Sequence, residues 1–331
     1  MDNSAAPLLE VDDLRIEFRG GRETVRAVNG ARFQVAPGET AAILGESGSG
    51  KSVTASAVMR LLQSPPAFIT GGAIRFKGEN VLVMPAADWR ARCGQEIAMV
   101  FQDALASLNP VFSVGWQIAE LFRAHGRLAG KEAEARAVDL LARVGIPDPA
   151  NRARDYPHQF SGGMRQRVMI AMAIALEPDL LIADEPTTAL DVTVQAQIMD
   201  LLSDLQSEIG MAVILISHDL GVVADVAQRV AVMYAGRVVE SGPVQEVLTR
   251  PAHPYTLALL DSVPQAREEG GKLRPILGSP PDLARLPSGC AFHPRCRFAT
   301  ELCRTDAPEA VAIAAGRDVE CHHAERVFHD G

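Results

Sequence analysis

The stretch Gly45-Glu46-Ser47-Gly48-Ser49-Gly50-Lys51-Ser52 decides how the rest of this sequence is interpreted. It fits the pattern G-x-x-x-x-G-K-S/T, in which glycines let successive backbone N–H groups converge on the oxygens of a phosphate. It also lies between a short apolar run (40–44), typical of a buried strand, and a predicted helix, where this mechanism needs it. We therefore predict that all eight residues bind a nucleotide, with Lys51 on the phosphates and Ser52 on Mg²⁺.

A second candidate element is an apolar run that ends in two acidic residues. The run 180–183 is typical of a buried strand, and Asp184 and Glu185 follow it directly. Acidic residues are common where strands meet loops, so the pair alone is a weak signal. Because the phosphate loop is present, we predict that Asp184 holds Mg²⁺ and that Glu185 polarises the attacking water as general base.

The composition favours a folded protein with an acidic surface. The chain has 331 residues, of which 47% are hydrophobic, and a formal net charge of -9. This charge repels phosphate backbones, so nucleic acid is not an expected partner. No apolar run approaches the roughly 18 residues that a membrane-spanning helix needs, and the polar start Met1–Ser4 shows no export signal. We therefore expect the chain to stay in the cytosol.

Hydrophobic periodicity divides the chain into strands that alternate with helices. Residues 8–18 and 25–35 alternate as half-buried strands do, whereas 113–145 and 162–176 show helical spacing. The pattern predicts an α/β fold with a mostly parallel sheet, helices on its faces and a helical insertion in the middle. Prolines, glycines and cysteines increase beyond Pro251, where we predict a domain boundary.

A third motif narrows the class of nucleotide-binding protein. It is the run Phe160-Ser161-Gly162-Gly163-Met164-Arg165-Gln166-Arg167, placed before a predicted helix. Its serine and glycines present a hydroxyl and backbone amides to an anion at a helix start, although a plain helix N-cap is the simpler interpretation. The run resembles the signature sequence of ABC ATPases, with Phe160 and Met164 in place of the commoner Leu and Gln.

The remaining landmarks of that family appear in order along the chain. Gln102 resembles the Q-loop glutamine, which senses Mg²⁺, and Ala189-Leu190-Asp191 resembles the D-loop. His218 resembles the switch histidine that contacts the γ-phosphate. Phe18 matches an aromatic residue that stacks on adenine in this family, although a core phenylalanine is an equally good interpretation. The resemblance thus implies an ATPase in which Gln102, Glu185 and His218 are catalytic and Gln102 also serves the Mg²⁺.

The resemblance implies a fold and an assembly. The fold is that of an ABC ATPase, a P-loop RecA-like core with a β subdomain, over residues 7–250 with its helical insertion at about 103–176. A small cysteine-containing domain is expected at 251–331. In this family the signature of one subunit closes the ATP site of another, so Ser161, Gly162 and Gly163 are expected to contact a partner's nucleotide. Asp191 is counted with them among the ATP-binding residues.

Several runs resemble the oligopeptide/dipeptide importer branch of the family. They are Phe101-Gln102-Asp103 leading into Ser107-Leu108-Asn109-Pro110, Tyr156-Pro157-His158, the stretch 183–191, and His253-Pro254-Tyr255-Thr256. The signature region is similar to that of the D-type ATPase of a pair, which implies an F-type ATPase as partner in a heterodimer. The resemblance also implies two integral membrane permease subunits, an extracytoplasmic substrate-binding protein, and a peripheral location on the cytoplasmic face of the inner or plasma membrane.

Four of the five cysteines lie near the end of the chain, whereas Cys93 stands apart. The four are Cys290, Cys296, Cys303 and Cys321, with the spacing C-x₅-C-x₆-C-x₁₇-C. This spacing is wider than in most zinc sites, and four thiolates on loosely spaced loops suit an iron–sulfur cluster. Importers of this branch carry a 4Fe-4S cluster there. Zn²⁺ is the second interpretation, with His293, His322 or His323 as substitute ligands, and free or disulfide-paired thiols are the third.

Other roles for such an ATPase are weighed against the same residues. Nickel and oligosaccharide importers use closely similar ATPases, so they are the alternatives to a peptide importer. ABC ATPases that act on DNA place long coiled coils between the phosphate loop and the signature, but the segment 51–161 has no sustained heptads. The sequence therefore favours a soluble importer ATPase over a protein that acts on DNA.

Overall fold

The computed structural model describes residues 6–20, 23–188, 190–262 and 275–330. Ala189 of the predicted D-loop, the polar start Met1–Ser4, and residues 263–274 of the predicted C-terminal domain lie outside the described residues. The chain packs into two compact units. The first unit takes the residues up to Leu82 and those from Ile216 on, and the second takes Val83–Leu215.

The elements are numbered in chain order. Up to Leu82 they are β1 (Leu9–Arg19), β2 (Thr24–Val35), β3 (Thr40–Leu44), α1 (Lys51–Val58), β4 (Ala67–Phe76) and β5 (Glu79–Asn80). They continue with α2 (Ala86–Arg92), β6 (Ile97–Val100), α3 (Ala104–Ser107), α4 (Val114–Ala124), α5 (Gly130–Arg143), α6 (Pro149–Arg152), a 3-10 turn (Pro157–Gln159), α7 (Gly162–Ala173), β7 (Leu180–Asp184), α8 (Val192–Ile209) and β8 (Ala212–Ser217). The last are α9 (Leu220–Val226), β9 (Arg229–Tyr234), β10 (Arg237–Pro243), α10 (Val244–Thr249), α11 (Pro254–Asp261), a 3-10 turn (His293–Arg295), α12 (Glu301–Thr305), β11 (Val311–Ala314), β12 (Arg317–Val319) and α13 (Ala324–Asp330).

The first unit contains an antiparallel sheet with the strand order β2-β1-β4-β5. Leu9, Val11, Leu14 and Ile16 of β1 are buried, while the residues between them are half-buried. This is the alternation that predicted strands at 8–18 and 25–35, and both strands are confirmed. In the same unit β3 pairs in parallel with β9. All five residues of β3 are buried, as expected for the apolar run before the phosphate loop.

The second unit contains the parallel pair β6 and β7, and β8 follows β7 in the strand order. The predicted helical region 113–145 consists of two helices, α4 and α5. Gly126 lies between them with φ 63°, a left-handed conformation that ends a helix at little cost for glycine. The predicted helix at 162–176 is α7, which ends at Ala173.

The chain beyond Pro251 is more regular than its sequence indicated. β12 pairs with β10, and β11 pairs with β12, so a hairpin extends the strands of the first unit in antiparallel fashion. A buried ion pair holds this hairpin, because Arg317 Nη2 donates to Glu240 Oε1 at 2.8 Å. Glu240 also accepts the backbone N–H groups of Ala252 and His253 at 2.8 and 3.0 Å. Its carboxylate is therefore satisfied despite full burial.

Across the described ranges, no helix combines the length and the apolar character that crossing a bilayer requires.

Candidate functional site

The predicted phosphate loop connects β3 to α1 in the first unit. Lys51 is 4% exposed, and its Nζ donates to the carbonyl oxygens of Gly45 at 2.7 Å and Glu46 at 3.0 Å. A Cβ at Gly45 would lie 2.3 Å from the carbonyl oxygen of Met233, so no larger residue fits there. Gly50 has φ 104°, which also favours glycine. The conformation of the loop thus depends on these two glycines. In this conformation the side chain of Lys51 points to the carbonyl oxygens of the loop.

The tip of the loop is open, as a site for an anion requires. Ser47 and Gly48 are exposed, and a Cβ added at Gly48 would meet nothing within 4 Å. Ser49 is 4% exposed, and its hydroxyl has no hydrogen-bond partner among the described residues. Buried hydroxyls without a partner are uncommon in folded proteins. The loop therefore fits the phosphates of a nucleotide, and Ser52, at the second position of α1, is half-buried.

Glu46 is held by residues far away in the sequence but in the same unit. Arg295 donates from both Nη atoms to the Glu46 carboxylate, at 2.7 and 3.0 Å. The backbone N–H of Glu46 donates to the hydroxyl of Tyr255 at 2.8 Å. The side chain and the main chain of this loop residue are therefore both fixed by the part of the chain that follows β10.

The predicted acidic pair lies at the end of β7 in the second unit. Asp184 is 6% exposed, and Glu185 has φ 45°, a left-handed conformation that non-glycine residues rarely adopt. Gln102 Nε2 and Thr188 Oγ1 both donate to Glu185 Oε2 at 3.0 Å. Two donors on one oxygen fix the direction of the carboxylate. The structure thus brings Gln102 and Glu185 together, as two predicted catalytic residues should be.

The predicted signature and D-loop residues occupy two neighbouring helix starts in the second unit. Ser161 caps α7 by accepting the N–H of Met164 at 3.3 Å, and Asp191 caps α8 by accepting the N–H of Val194 at 3.0 Å. A Cβ added at Gly163 would lie 2.7 Å from Val194 Cγ1. The two helix starts therefore pack closely at Gly163, while Ser161 and Asp191 stay exposed. Gly162 is also exposed, and a Cβ there would meet Leu190 at 3.5 Å.

Two further predicted residues lie in the first unit. His218 is exposed and directly follows β8, immediately before Asp219, which caps α9. Phe18 is half-buried in β1, opposite Val25 on one side and Ala67 on the other. A ring that is partly exposed is compatible with stacking on a base and with a place at the edge of the core.

The four C-terminal cysteines are free thiols in one region of the first unit. Burial raises the pKa of Cys296 to about 11 and of Cys321 to about 12, with smaller contributions from the other cysteines. Burial also raises the pKa of Cys290. Cys321 Sγ accepts the N–H of His323 at 3.3 Å, a type of bond that iron–sulfur ligands also receive. The donor set therefore suits a cluster in its chemistry.

The thiols and the histidines near them do not form a ready metal site in the described part of the chain. Within the described ranges, no three His, Cys, Asp or Glu side chains are grouped to hold a metal ion. The histidines considered for zinc each have a ring nitrogen at hydrogen-bond distance from another group: His293 from Cys290 O, His322 from Asp306 O, and His323 from Thr300 Oγ1. Neither the zinc nor the cluster prediction gains support from a formed metal site, and the described cysteines form no disulfide.

Three contacting residues escaped the sequence interpretation. Thr188 lies in the stretch 183–191, three residues after Glu185, so the sequence alone places it near that carboxylate. Tyr255 and Arg295 contact Glu46 across 209 and 249 residues, and no local pattern marks either of them as a neighbour of the phosphate loop.

Comparison with known proteins agrees with this geometry. Residues 28–188 match the family model described as ABC transporter, and residues 239–303 match that of the oligopeptide/dipeptide transporter, C-terminal region. The protein named "Putative peptide import ATP-binding protein BMEII0863" of Brucella melitensis is 51% identical, over 98% of this chain and 97% of that protein. BAB2_1052 of Brucella abortus, named in the same way, is also 51% identical, over 96% of this chain and 95% of that protein.

Solved structures are similar as well. The dimeric ATP-binding cassette MJ0796, bound to ADP and Pi in a post-hydrolysis state, superposes with a TM-score of 0.64 at 26% identity, covering 71% of this chain and 98% of that one. CbiO1 from Clostridium perfringens, part of an ABC transporter complex, gives a TM-score of 0.62 at 29% identity, covering 74% of this chain and 92% of that one.

The fold and the motifs define an ABC-type ATPase, which binds ATP and Mg²⁺. The chain belongs to the family of ABC transporter ATP-binding proteins that carry the oligopeptide/dipeptide transporter C-terminal region.

Proposed function

We propose that this chain hydrolyses ATP to drive the uptake of dipeptides or oligopeptides through membrane subunits on which it sits at the cytoplasmic face. The names of the relatives that are 51% identical over nearly the whole chain support peptides as the solute. The structural observation that carries the catalytic part is the carboxylate of Glu185, fixed at the end of β7 by Gln102 and Thr188.

The residues of the first unit bind the nucleotide in this proposal. The loop Gly45–Ser52 cradles the phosphates through its backbone N–H groups, and Lys51 moves its ammonium from the loop carbonyls to the phosphate oxygens. Ser52 ligates Mg²⁺ when the ion is present. His218 contacts the γ-phosphate, and Phe18 stacks on adenine.

The residues of the second unit carry out hydrolysis. Asp184 supports the Mg²⁺, and Glu185 accepts a proton from the attacking water as general base. Gln102 orients Glu185 and couples its position to the Mg²⁺. The bonds from Gln102 and Thr188 support this role, because a base must be held in one direction before its water is bound.

The proposal includes an assembly of several chains. Ser161, Gly162 and Gly163, together with Asp191, contact the nucleotide of a partner F-type ATPase. The exposure of Ser161, Gly162 and Asp191 supports this, since these groups can reach a second subunit. Two permease subunits and an extracytoplasmic binding protein complete the transporter, and binding and release of ATP between the two ATPases moves the permeases.

The C-terminal part of the proposal concerns residues 251–331 as a separate domain with a 4Fe-4S cluster on Cys290, Cys296, Cys303 and Cys321. What supports the cluster is the chemistry of four thiols that form no disulfide, of which Cys303 is buried and the other three are half-buried. Neighbouring cysteines add to the effect of burial in raising the pKa of Cys296 and Cys321. When bound, the cluster would tie together segments that are otherwise joined by loops, and we assign it this structural role instead of electron transfer.

Reconstitution tests the proposal as a whole. The chain is assembled in liposomes with its F-type partner, the permeases and the binding protein, and ATP-dependent uptake of labelled peptides, nickel and oligosaccharides is compared. We expect peptide uptake alone, and none when Lys51→Ala replaces the wild-type chain. Uptake of nickel or of an oligosaccharide in place of peptides would contradict the proposed solute and leave the ATPase role intact.

A further inference from the structure

Glu46 of the phosphate loop is held by two residues that lie far from it in the sequence, Arg295 and Tyr255. Its carboxylate meets the guanidinium of Arg295 in a two-pronged ion pair, with N···O distances of 2.7 and 3.0 Å. Such forked pairs fix geometry as well as charge. Glu46 lies directly beside Gly45, the first glycine of the loop, so the pair acts where the chain leaves β3.

Arg295 has several contacts besides its ion pair with Glu46. Its side chain is 4% exposed, and its Nε donates to the carbonyl oxygen of Leu277 at 3.0 Å. The guanidinium also lies 5.8 Å from the ring centroid of Tyr234 and 5.9 Å from that of Phe292. The guanidinium of an arginine does not lose its proton in proteins, so the side chain is charged. A charge this well enclosed is costly to leave without its partner.

Tyr255 also contacts the same loop residue, at its main chain. Its hydroxyl accepts the backbone N–H of Glu46 at 2.8 Å, and the tyrosine is fully buried. Its ring packs against Tyr234 and Phe292 with centroid distances of 4.6 and 5.5 Å. The hydroxyl therefore has little freedom to move, and it fixes the main chain of the loop while Arg295 fixes the side chain.

We propose that Arg295 and Tyr255 are positioning residues for ATP, which set the affinity of the phosphate loop by fixing Glu46. The inference rests on the proposed role of Gly45–Ser52 as the phosphate loop. The path is short, because Lys51 Nζ donates to the carbonyl oxygen of Glu46 itself, at 3.0 Å. A displaced Glu46 displaces the resting position of the lysine that binds the phosphates.

The physical reason is preorganisation. A glycine-rich loop loses conformational entropy when it closes on phosphates, and contacts that order it beforehand lower that cost. The tip at Ser47 and Gly48 is exposed, and a Cβ added at Gly48 would meet nothing within 4 Å. Through the contacts at Glu46, the affinity for the nucleotide also depends on the turn 290–296. In this turn Cys296 follows Arg295 directly, and backbone hydrogen bonds join His293 to Cys290 and Arg295 to Phe292.

Titration of the full-length chain with Mg²⁺ and the non-hydrolysable analogue AMP-PNP tests the proposal. We expect Arg295→Gln to raise the Kd about tenfold, because it removes a charged pair that orders the loop. Tyr255→Phe keeps the buried ring and should raise the Kd about threefold. The matched control is Arg297→Gln, which breaks the exposed Arg297–Asp261 pair in the same segment and should leave the Kd unchanged.

A double-mutant cycle separates positioning from general loss of structure. In a Glu46→Gln background, Arg295→Gln should cause little further change in Kd, because the shared contact is already weakened. Circular dichroism monitors the fold. Should Arg295→Gln fail to fold, Tyr255→Phe and Glu46→Gln decide the matter.

The proposal would be overturned if the Arg295→Gln and Tyr255→Phe proteins fold and bind with the wild-type Kd. It would also be overturned if the effects of Glu46→Gln and Arg295→Gln on the free energy of binding add up in the double mutant. Lys51→Ala shows whether such a result contradicts only the positioning inference or also the phosphate-loop assignment. If it weakens binding while the other variants do not, only the positioning inference is wrong. If Lys51→Ala also binds normally, the phosphate-loop assignment is wrong and the inference fails with it.

Discussion

The phosphate loop and the acidic end of β7 are built in opposite ways. The loop is ordered by contacts with residues 209 and 249 positions away, and its lysine is 4% exposed. Glu185 is held by Gln102 and Thr188 within its own unit, in a left-handed conformation with φ 45°. Gln102 itself is exposed. The loop is thus ordered by contacts from distant parts of the sequence, whereas Glu185 combines a left-handed backbone with two hydrogen bonds to its carboxylate.

This difference indicates which region sets the affinity for ATP and which sets the rate of hydrolysis. A region ordered by many contacts gives affinity, because little entropy is left to lose when the ligand arrives. A left-handed non-glycine residue costs on the order of 1–3 kcal/mol and persists where the geometry is useful. In the proposed roles, affinity for ATP depends mainly on the loop and the rate of hydrolysis on Glu185, and separate variants test each role.

The largest effect is expected from the loop lysine. Lys51→Ala removes the positive charge meant for the phosphates, and hydrolysis at this site should be abolished. The assembled transporter is assayed for ATP binding and turnover, with circular dichroism as the control for folding. Near-normal turnover at this site would show that Lys51 does not serve the phosphates.

Replacing Glu185, the proposed base, should lower turnover and leave the affinity for ATP unchanged. Glu185→Gln keeps the shape and an oxygen that accepts from Gln102 and Thr188, but an amide cannot take the proton of water. Hydrolysis should fall by about 10²-fold or more. Single-turnover assays with the partner's own ATP site disabled isolate this site, and the variant should accumulate as a closed heterodimer with ATP. An unchanged rate would exclude Glu185 as the base.

The four C-terminal cysteines form a third region, for which we predict bound iron. Anaerobically purified protein should contain about four irons per chain and show the visible absorption of thiolate-bound iron. Cys290→Ser should remove the iron and loosen the C-terminal region. Cys93→Ser is the matched control and should keep the iron, because Cys93 lies far from the other four in the sequence and belongs to the second unit. Stoichiometric zinc without iron would favour the zinc interpretation.

The smallest effect concerns the packing of the signature helix. Gly163→Ala places a methyl 2.7 Å from Val194 Cγ1, which should destabilise the protein by about 1–3 kcal/mol. Gly162→Ala meets Leu190 at an ordinary 3.5 Å and should be close to neutral. Urea unfolding of the two variants measures the difference, and equal stabilities would mean that Gly163 is not a packing contact.

Local patterns in the sequence were sufficient for the strands at 8–18, 25–35, 40–44 and 180–183 and for the helical regions 113–145 and 162–176. The run 40–44 and the eight residues after it predict a buried strand, a loop and a helix because each has its own periodicity or glycine spacing. The hairpin of β11 and β12 was missed, although the apolar run 311–314 followed by Gly316 is a recognisable strand and turn. The anchor at Glu46 has no such signal, since Arg295 and Tyr255 reach it only through the packing of the folded chain.

The most direct test of the division between binding and turnover compares two variants by calorimetric titration with Mg²⁺ and AMP-PNP. Glu185→Gln should bind within about twofold of wild type, because Lys51 and Ser52, which are proposed to hold the phosphates and Mg²⁺, are unchanged. Lys51→Ala should bind at least about tenfold more weakly, because a charged contact to phosphate is lost. If Glu185→Gln lost as much affinity as Lys51→Ala, or if Lys51→Ala bound as wild type does, the two regions would not divide the work in this way.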